Sequence, residues 1–148
     1  MFLGKVIKNL NKKYNYIKFR GISFNSKKCK NNDIFFAIRG NDLNGTKYID
    51  EAIRNGAKVI ISNLKFQGFN KKKILFIRSK NPRDTLSYAA SILYKQKPKN
   101  IVAVTGTNGK TSIANFYYQI LNLNKIPVAS IGTLGVLSKN FKKKTYNT

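Results

Sequence analysis

Eight consecutive residues carry the sharpest chemistry in this sequence: Thr105-Gly106-Thr107-Asn108-Gly109-Lys110-Thr111-Ser112. Small residues let successive backbone N–H groups turn inward around phosphate oxygens, and a helix that starts there adds the positive end of its dipole. A lysine directly after the last glycine would reach the β- and γ-phosphates of ATP, and the Thr111 hydroxyl would join the shell of a magnesium ion. The loop is a shortened form, because Val104 stands five positions before Gly109 where a glycine is usual, and the first glycine is Gly106. An ordinary Gly-rich strand–helix turn ending in lysine is the plain alternative. The apolar run before the loop and the amphipathic run after it favour phosphate binding. Gly106, Thr107, Asn108, Gly109, Lys110, Thr111 and Ser112 are therefore the candidate ATP ligands, with Lys110 as the catalytic cation and Thr111 on the metal side.

Such a loop needs a strand to deliver it and a helix to receive it. Ile101-Val102-Ala103-Val104-Thr105 reads as a buried strand of a parallel sheet, and a helix is expected from Lys110 to about Asn124. Pro127-Val128-Ala129-Ser130 then opens the next strand of an unfinished βαβ unit. Upstream, Gly21–Ile38 holds two short extended segments, the second around Phe35-Phe36-Ala37-Ile38. Ile49, Ala52 and Ile53 lie at helical spacing within 46–55 and Gly56 fits a helix stop. Lys58–Ser62 and Ile74–Ile77 read as strands, with Lys71-Lys72-Lys73 a solvated loop before the second. Asn81-Pro82-Arg83-Asp84 combines a capping residue, a first-turn proline and an acid, so a helix starts there and runs to about Lys95. The polar stretch Gln96–Asn100 separates a first domain, 1–97, from a second, 98–148. Alternation of strands and helices makes the chain α/β.

Composition removes several alternatives. With 148 residues and 42% hydrophobic content a core can be buried. No apolar run approaches the ~18 residues of a membrane span, and residues 1–9 lack the apolar region of a secretory signal. A single cysteine and no histidine exclude a disulfide framework and Cys- or His-based metal or acid–base chemistry; Cys29 reads as an ordinary thiol. A cytoplasmic location is expected. The formal charge of +24 suggests a polyanion partner. Its carriers, however, are mostly lysines scattered along a chain also rich in Asn and Ile, residues that share AT-rich codons. Neither arginines arranged for base reading nor aromatics arranged for stacking stand out, so no specific nucleic-acid partner is expected.

Ala103–Thr111 resembles the nucleotide loop that opens the central domain of the Mur ligases, whose relatives, the folylpolyglutamate synthetases, share its general form. Upstream, Ser26, Asn32–Gly40, Asn44-Gly45, Tyr48-Ile49, Ala52 and Gly56-Ala57 are similar to the N-terminal module of the tripeptide-forming and dipeptide-adding members. Ser130–Gly135 and Thr145-Tyr146-Asn147-Thr148 are closer to the tripeptide-forming type. Asn25-Ser26-Lys27 replaces the family's Asp-Ser-Arg, and Lys27 lacks the planar fork of arginine.

This resemblance implies a small N-terminal α/β domain holding UDP, followed by the start of a P-loop, parallel-sheet ATPase domain. It implies ATP- and magnesium-dependent ligation in peptidoglycan precursor synthesis. The glutamate carboxylate of UDP-N-acetylmuramoyl-dipeptide is activated as an acyl phosphate and captured by a diamino acid, diaminopimelate or lysine. By position, Phe24 and Ser26 would line the uridine site, Asn41, Asp42 and Leu43 would lie beside the nucleotide, and Asn147 and Thr148 would approach the sugar-peptide end. A core role for Phe24 and a plain surface turn at 41–43 are the bland readings. The family's later acidic magnesium ligands, its carbamylated lysine and its amino-acid-binding domain would lie beyond Thr148, so this polypeptide alone is not expected to ligate. The alternatives are the dipeptide-adding ligase, a basic polyanion-binding module, and a binding protein that holds a nucleotide-sugar without catalysis.

Overall fold

The computed structural model describes residues 1–40, 44–139 and 141–143, the last three by backbone alone. It divides into two compact units, Met1–Lys97 and Pro98–Thr148.

The first unit is built on a five-stranded sheet. Its strands are β1 (Ile22–Ser23), β2 (Asp33–Phe36), β3 (Ala57–Ser62), β4 (Gly68–Phe69) and β5 (Leu75–Arg78), in the order β1-β2-β3-β5-β4. The first four positions of that order run parallel, and only the two-residue edge strand β4 is antiparallel. Helix α1 (Ile49–Arg54) connects β2 to β3, and α2 (Pro82–Leu93) follows β5.

Alternation along the strands sends side chains to two cores. Ile34, Phe36, Val59, Ile61, Leu75 and Ile77 face Ala89 of α2, with Leu86, Ile92 and Leu93 beside it. Leu3, Val6, Tyr14 and Phe19 belong to the same core. This N-terminal segment is pinned by Leu3 N–H to Ile17 O (2.9 Å) and Phe19 N–H to Met1 O (3.0 Å). Phe35, Ala37 and Ile60 point the other way, onto Ile49 and Ala52 of α1 and onto Cys29. Full burial of each large side chain stabilises by about 1.5–3 kcal/mol, which is why the parallel strands read as continuous apolar runs.

Helix ends follow the sequence. Asn81 Oδ1 accepts from the N–H groups of Arg83 (3.1 Å) and Asp84 (3.3 Å), with Pro82 in the first turn. Helix α1 is shorter than its periodicity suggests, because Gly45–Tyr48 forms a 3₁₀ turn. It closes at Gly56, which takes φ +104°.

The second unit contains α3 (Lys110–Leu123) and an antiparallel sheet of β6 (Ala129–Gly132), β7 (Gly135–Ser138) and β8 (Phe141–Lys143). Among the described residues of this unit the expected parallel arrangement is not found. Residues 101–105 form no strand, and Ile101 is 78% exposed rather than buried. Parallel pairing needs a crossover partner, whereas hairpins form between sequence neighbours, and Gly135 at φ +98° turns β6 directly into β7. Among the described residues no helix is long and apolar enough to cross a membrane.

A Cβ at Gly56 would sit 2.7 Å from the Asn31 Cα while the backbone holds a left-handed angle. Gly56→Ala is therefore expected to destabilise the first unit by more than about 1 kcal/mol in urea unfolding. An unchanged midpoint would contradict this close packing of residues 31 and 56.

Candidate functional site

In the second unit the loop 105–109 is shaped by two glycines. Gly106 takes φ +141° and Gly109 φ +76°, both in the region that side chains disfavour. Gly109 is the N-cap of α3, and no side chain caps the helix there. Ile113 N–H reaches back to Gly109 O (2.9 Å), which leaves the first-turn N–H groups directed out of the helix end. Lys110 Nζ folds over the loop, donating to the carbonyls of Gly106 and Thr107, the latter at 2.8 Å. The first turn of α3 holds no acid, and residues 98–148 contain no Asp or Glu at all. Backbone donors, a helix dipole and one ammonium thus converge with no carboxylate to oppose an anion. Thr111 and Ser112 occupy the next two helical positions and bring two hydroxyls to the same helix end.

In the first unit, β1 and β2 are parallel neighbours with Ser23 opposite Phe35, so the residues after them leave the sheet from one edge. Phe24 follows β1 and is 66% exposed, a surface residue rather than a core one. Ser26 opens a 3₁₀ turn, Ser26–Lys28, and is buried. Its hydroxyl donates to Glu51 Oε2, and its carbonyl accepts from Asn55 Nδ2 at 2.9 Å. Glu51 and Asn55 stand four residues apart and so share one face of the helix end. Sequence reading missed this pair; its signal was an acid and an amide at i, i+4 within the helix that follows the glycine turn. Phe24 and Ser26 are brought to the edge from which Ala37–Gly40 also leaves. Asn41, Asp42, Leu43, Asn147 and Thr148 lie outside the described residues.

Cys29 is buried beneath α1. Burial raises its pKa, a hydrogen bond with Ser23 opposes the rise, and the negative charge of Asp33 adds to it. The thiol is thus held protonated and inert. No group of three or more potential metal-ligating His, Cys, Asp or Glu residues exists among the described residues.

The description "Mur ligase family, catalytic domain" matches residues 18–142 of this chain. The chain belongs to the Mur ligase family. It is 40% identical over 131 residues to the UDP-N-acetylmuramoyl-L-alanyl-D-glutamate–2,6-diaminopimelate ligase of Rickettsia montanensis, covering 86% of this chain and 26% of that one. To the enzyme of the same name from Rickettsia bellii it is 41% identical over 130 residues, covering 88% and 25%. Among solved Mur ligases, it resembles MurF ligase from Thermotoga maritima in complex with ADP, with TM-score 0.53, 32% identity, and coverage of 70% and 23%. A structure of a UDP-N-acetylmuramoyl-L-alanyl-D-glutamate–2,6-diaminopimelate ligase shares the fold, with TM-score 0.66 at 23% identity over 90% of this chain and 28% of that one. The chain spans about a quarter of the length of the curated relatives it matches.

Two measurements probe this Mur ligase unit. Glu51→Ala would leave the buried Ser26 hydroxyl without its acceptor, at a cost of about 1–3 kcal/mol, while Glu51→Gln keeps an acceptor and should cost less. Equal stability of all three proteins would refute the Ser26–Glu51 contact. For Cys29, the unfolded chain loses its thiol proton at lower pH than the folded one. The stability this confers is present below the ordinary thiol range and is lost as pH rises through the folded pKa. Cys29→Ala should flatten that alkaline loss in a pH series of unfolding midpoints, and rapid alkylation of native Cys29 at neutral pH would argue against its burial.

Proposed function

We propose that this chain supplies the nucleotide-sugar-holding and ATP-holding parts of a cytoplasmic, ATP-dependent ligase that extends UDP-N-acetylmuramoyl-L-alanyl-D-glutamate by a diamino acid in peptidoglycan precursor synthesis. The observation that carries the reading is the uncapped start of α3, where Gly109 adopts a left-handed conformation and Lys110 lies over the loop carbonyls. The names of the relatives supply the substrate and point to 2,6-diaminopimelate as the amine. This chain covers only about a quarter of their length, and the family resemblance implies that the amine's own site lies in the part it does not cover.

In the proposed reaction the D-glutamate carboxylate attacks the γ-phosphate of ATP, releasing ADP and forming an acyl phosphate. The amine then attacks the acyl carbon, and inorganic phosphate leaves as the amide bond forms. The share of this chain is electrostatic and positional. Lys110 would swing from the loop carbonyls to the β- and γ-phosphate oxygens, keeping its charge where negative charge moves during transfer. N–H groups of the first turn of α3 would hold the remaining phosphate oxygens, with Gly106, Thr107 and Asn108 lining the loop. Thr111 would offer its hydroxyl to magnesium, which suits an ion that keeps several waters and takes its other oxygens from phosphates. Ser112 would follow as a second donor. On the first unit, Phe24 would present its exposed ring to the uracil, and the turn fixed by Ser26, Glu51 and Asn55 would set its position. Asn41, Asp42 and Leu43 would lie along the nucleotide, and Asn147 and Thr148 near the sugar-peptide end.

Calorimetric titration with ATP and magnesium tests the phosphate loop in the 148-residue chain. Lys110→Ala is expected to weaken ATP binding by about ten-fold or more, the worth of a charge-assisted hydrogen bond. Thr111→Val should reduce the magnesium dependence. A chain that binds ATP equally well without the lysine would exclude this role for the loop.

A further inference from the structure

Helix α1 has two working flanks. Glu51 and Asn55 hold the Ser26 turn, whereas Asp50, Ile53 and Arg54 face away from it, toward the turn that joins β4 to β5. Between α1 and that turn lies an open cleft of about 590 Å³. Its floor is apolar. Phe76 points to this side of β5, opposite to Leu75 and Ile77, and stays half-buried with Ile53 near it and the Phe66 ring edge-on at 5.5 Å. Its rim is basic, with Arg54 on the helix side and Lys71 and Lys72 on the turn side, and Asp50 is its one carboxylate. The turn holds its lysines on a defined backbone. Asn70 Oδ1 accepts from the N–H groups of Lys72 and Ile74, both at 3.0 Å, and Asn70 O accepts from Lys73 N–H at 2.9 Å.

The lining selects among occupants. A second copy of this chain is repelled, since it brings 29 basic residues and only 5 acids to a basic rim. A bare phosphate chain would satisfy the cations, but it would meet Asp50 and leave Ile53 and Phe76 facing water. A peptide satisfies all three kinds of lining at once. Its carboxylates answer Arg54, Lys71 and Lys72, a backbone N–H answers Asp50, and an apolar side chain covers the floor. The volume lies within the ~300–1,000 Å³ of sites that enclose drug-sized ligands, which fits a short segment rather than a folded surface. We propose that the cleft between α1 and the β4–β5 turn docks a short acidic segment of a partner protein, with one apolar side chain seated on Ile53 and Phe76 between carboxylates that meet Arg54 and Lys71–Lys72. None of these residues belongs to the two nucleotide-holding regions proposed above, so this docking site is independent of them.

The test titrates the full 148-residue chain into a fluorescent pentapeptide that carries phenylalanine between two pairs of glutamates, read by anisotropy at physiological salt. A peptide with serine in place of the phenylalanine and a single-stranded oligothymidylate serve as competing probes. The phenylalanine peptide is expected to bind wild type about ten-fold more tightly than the serine peptide, because only it covers the apolar floor. Its affinity should fall about five-fold in Arg54→Gln and about ten-fold when Lys71→Gln and Lys72→Gln are combined. Lys95→Gln with Lys97→Gln removes as much charge elsewhere and should change it less than about two-fold. Bound peptide should also protect Lys71 and Lys72 of the unsubstituted chain from acetylation, which locates the site without any variant. Equal binding of the two peptides, or equal losses in the remote lysine control, would overturn the docking site in favour of diffuse charge attraction. Oligothymidylate that binds more tightly than the peptide and depends on Arg54, Lys71 and Lys72 would replace the peptide by a nucleic acid. Wild type that binds neither peptide would refute the site outright.

Discussion

Strand β3 is enclosed on both faces, and the first unit is organised around that condition. Val59 and Ile61 face α2 and the N-terminal segment, and Ile60 faces α1. A strand buried on both sides cannot present a polar face to water, so layers must cover it from above and below. Helices reach both sides only through crossover connections, and crossovers make neighbouring strands parallel. Of the connections, only the one between β4 and β5 is a short antiparallel turn, and it occurs at the edge, where no second layer is needed.

Parallel order has a functional consequence. When β1, β2, β3 and β5 all run the same way, every segment leaving them emerges on one edge. Phe24, Ser26, Arg39, Asn63 and Lys80 lie far apart in sequence, yet all sit just past the ends of parallel strands. Rigidity beneath these loops comes from the apolar sheet, while Phe24 at the edge stays 66% exposed. The bonds fixing the edge are few and long in sequence: Ser26 to Glu51, Asn55 to Ser26 and Arg83 to Arg39. Each ties a loop to a helix end, so the site inherits its precision from α1 and α2.

This difference in range explains what was legible in the sequence. The glycine turn and the start of α3 were readable because their determinants are local: two glycine angles, one helix start and one lysine, all within 106–113. The strands β3 and β5 and the cap of α2 were equally plain, since apolar runs and Asn-Pro signals act within a few residues. The cleft between Arg54 and Lys71 was not, because nothing in sequence joins them until α1 and the β4–β5 turn are laid side by side. Residues 101–105 show the opposite failure. Their apolar character predicted a buried strand, but a strand exists only by pairing, and the second unit holds no parallel neighbour for it among the described residues. The N-terminal segment was overlooked for a related reason. Leu3, Val6, Tyr14 and Phe19 follow neither a helical nor an alternating period, although all four reach the core.

The charge of +24 acquires a different meaning once the four acids among the described residues are located. Asp33 is buried and accepts from the Lys30 N–H at 2.9 Å. Glu51 is committed to Ser26, and Asp84 to Asn81. Asp50 lines the cleft between α1 and the β4–β5 turn, with Arg54, Lys71 and Lys72. No carboxylate stands among the residues of the phosphate loop. Composition bias can explain why lysine is abundant along the chain, but it does not explain why Asp33, Glu51 and Asp84 are each engaged in a hydrogen bond. For the ATP-holding role proposed for the loop 105–109, a local lack of carboxylates matters more than net charge, because one misplaced carboxylate beside a phosphate cancels several distant, solvent-screened lysines. The absence of acidic residues from 98–148, rather than the global excess of positive charge, is what suits the second unit to its proposed nucleotide.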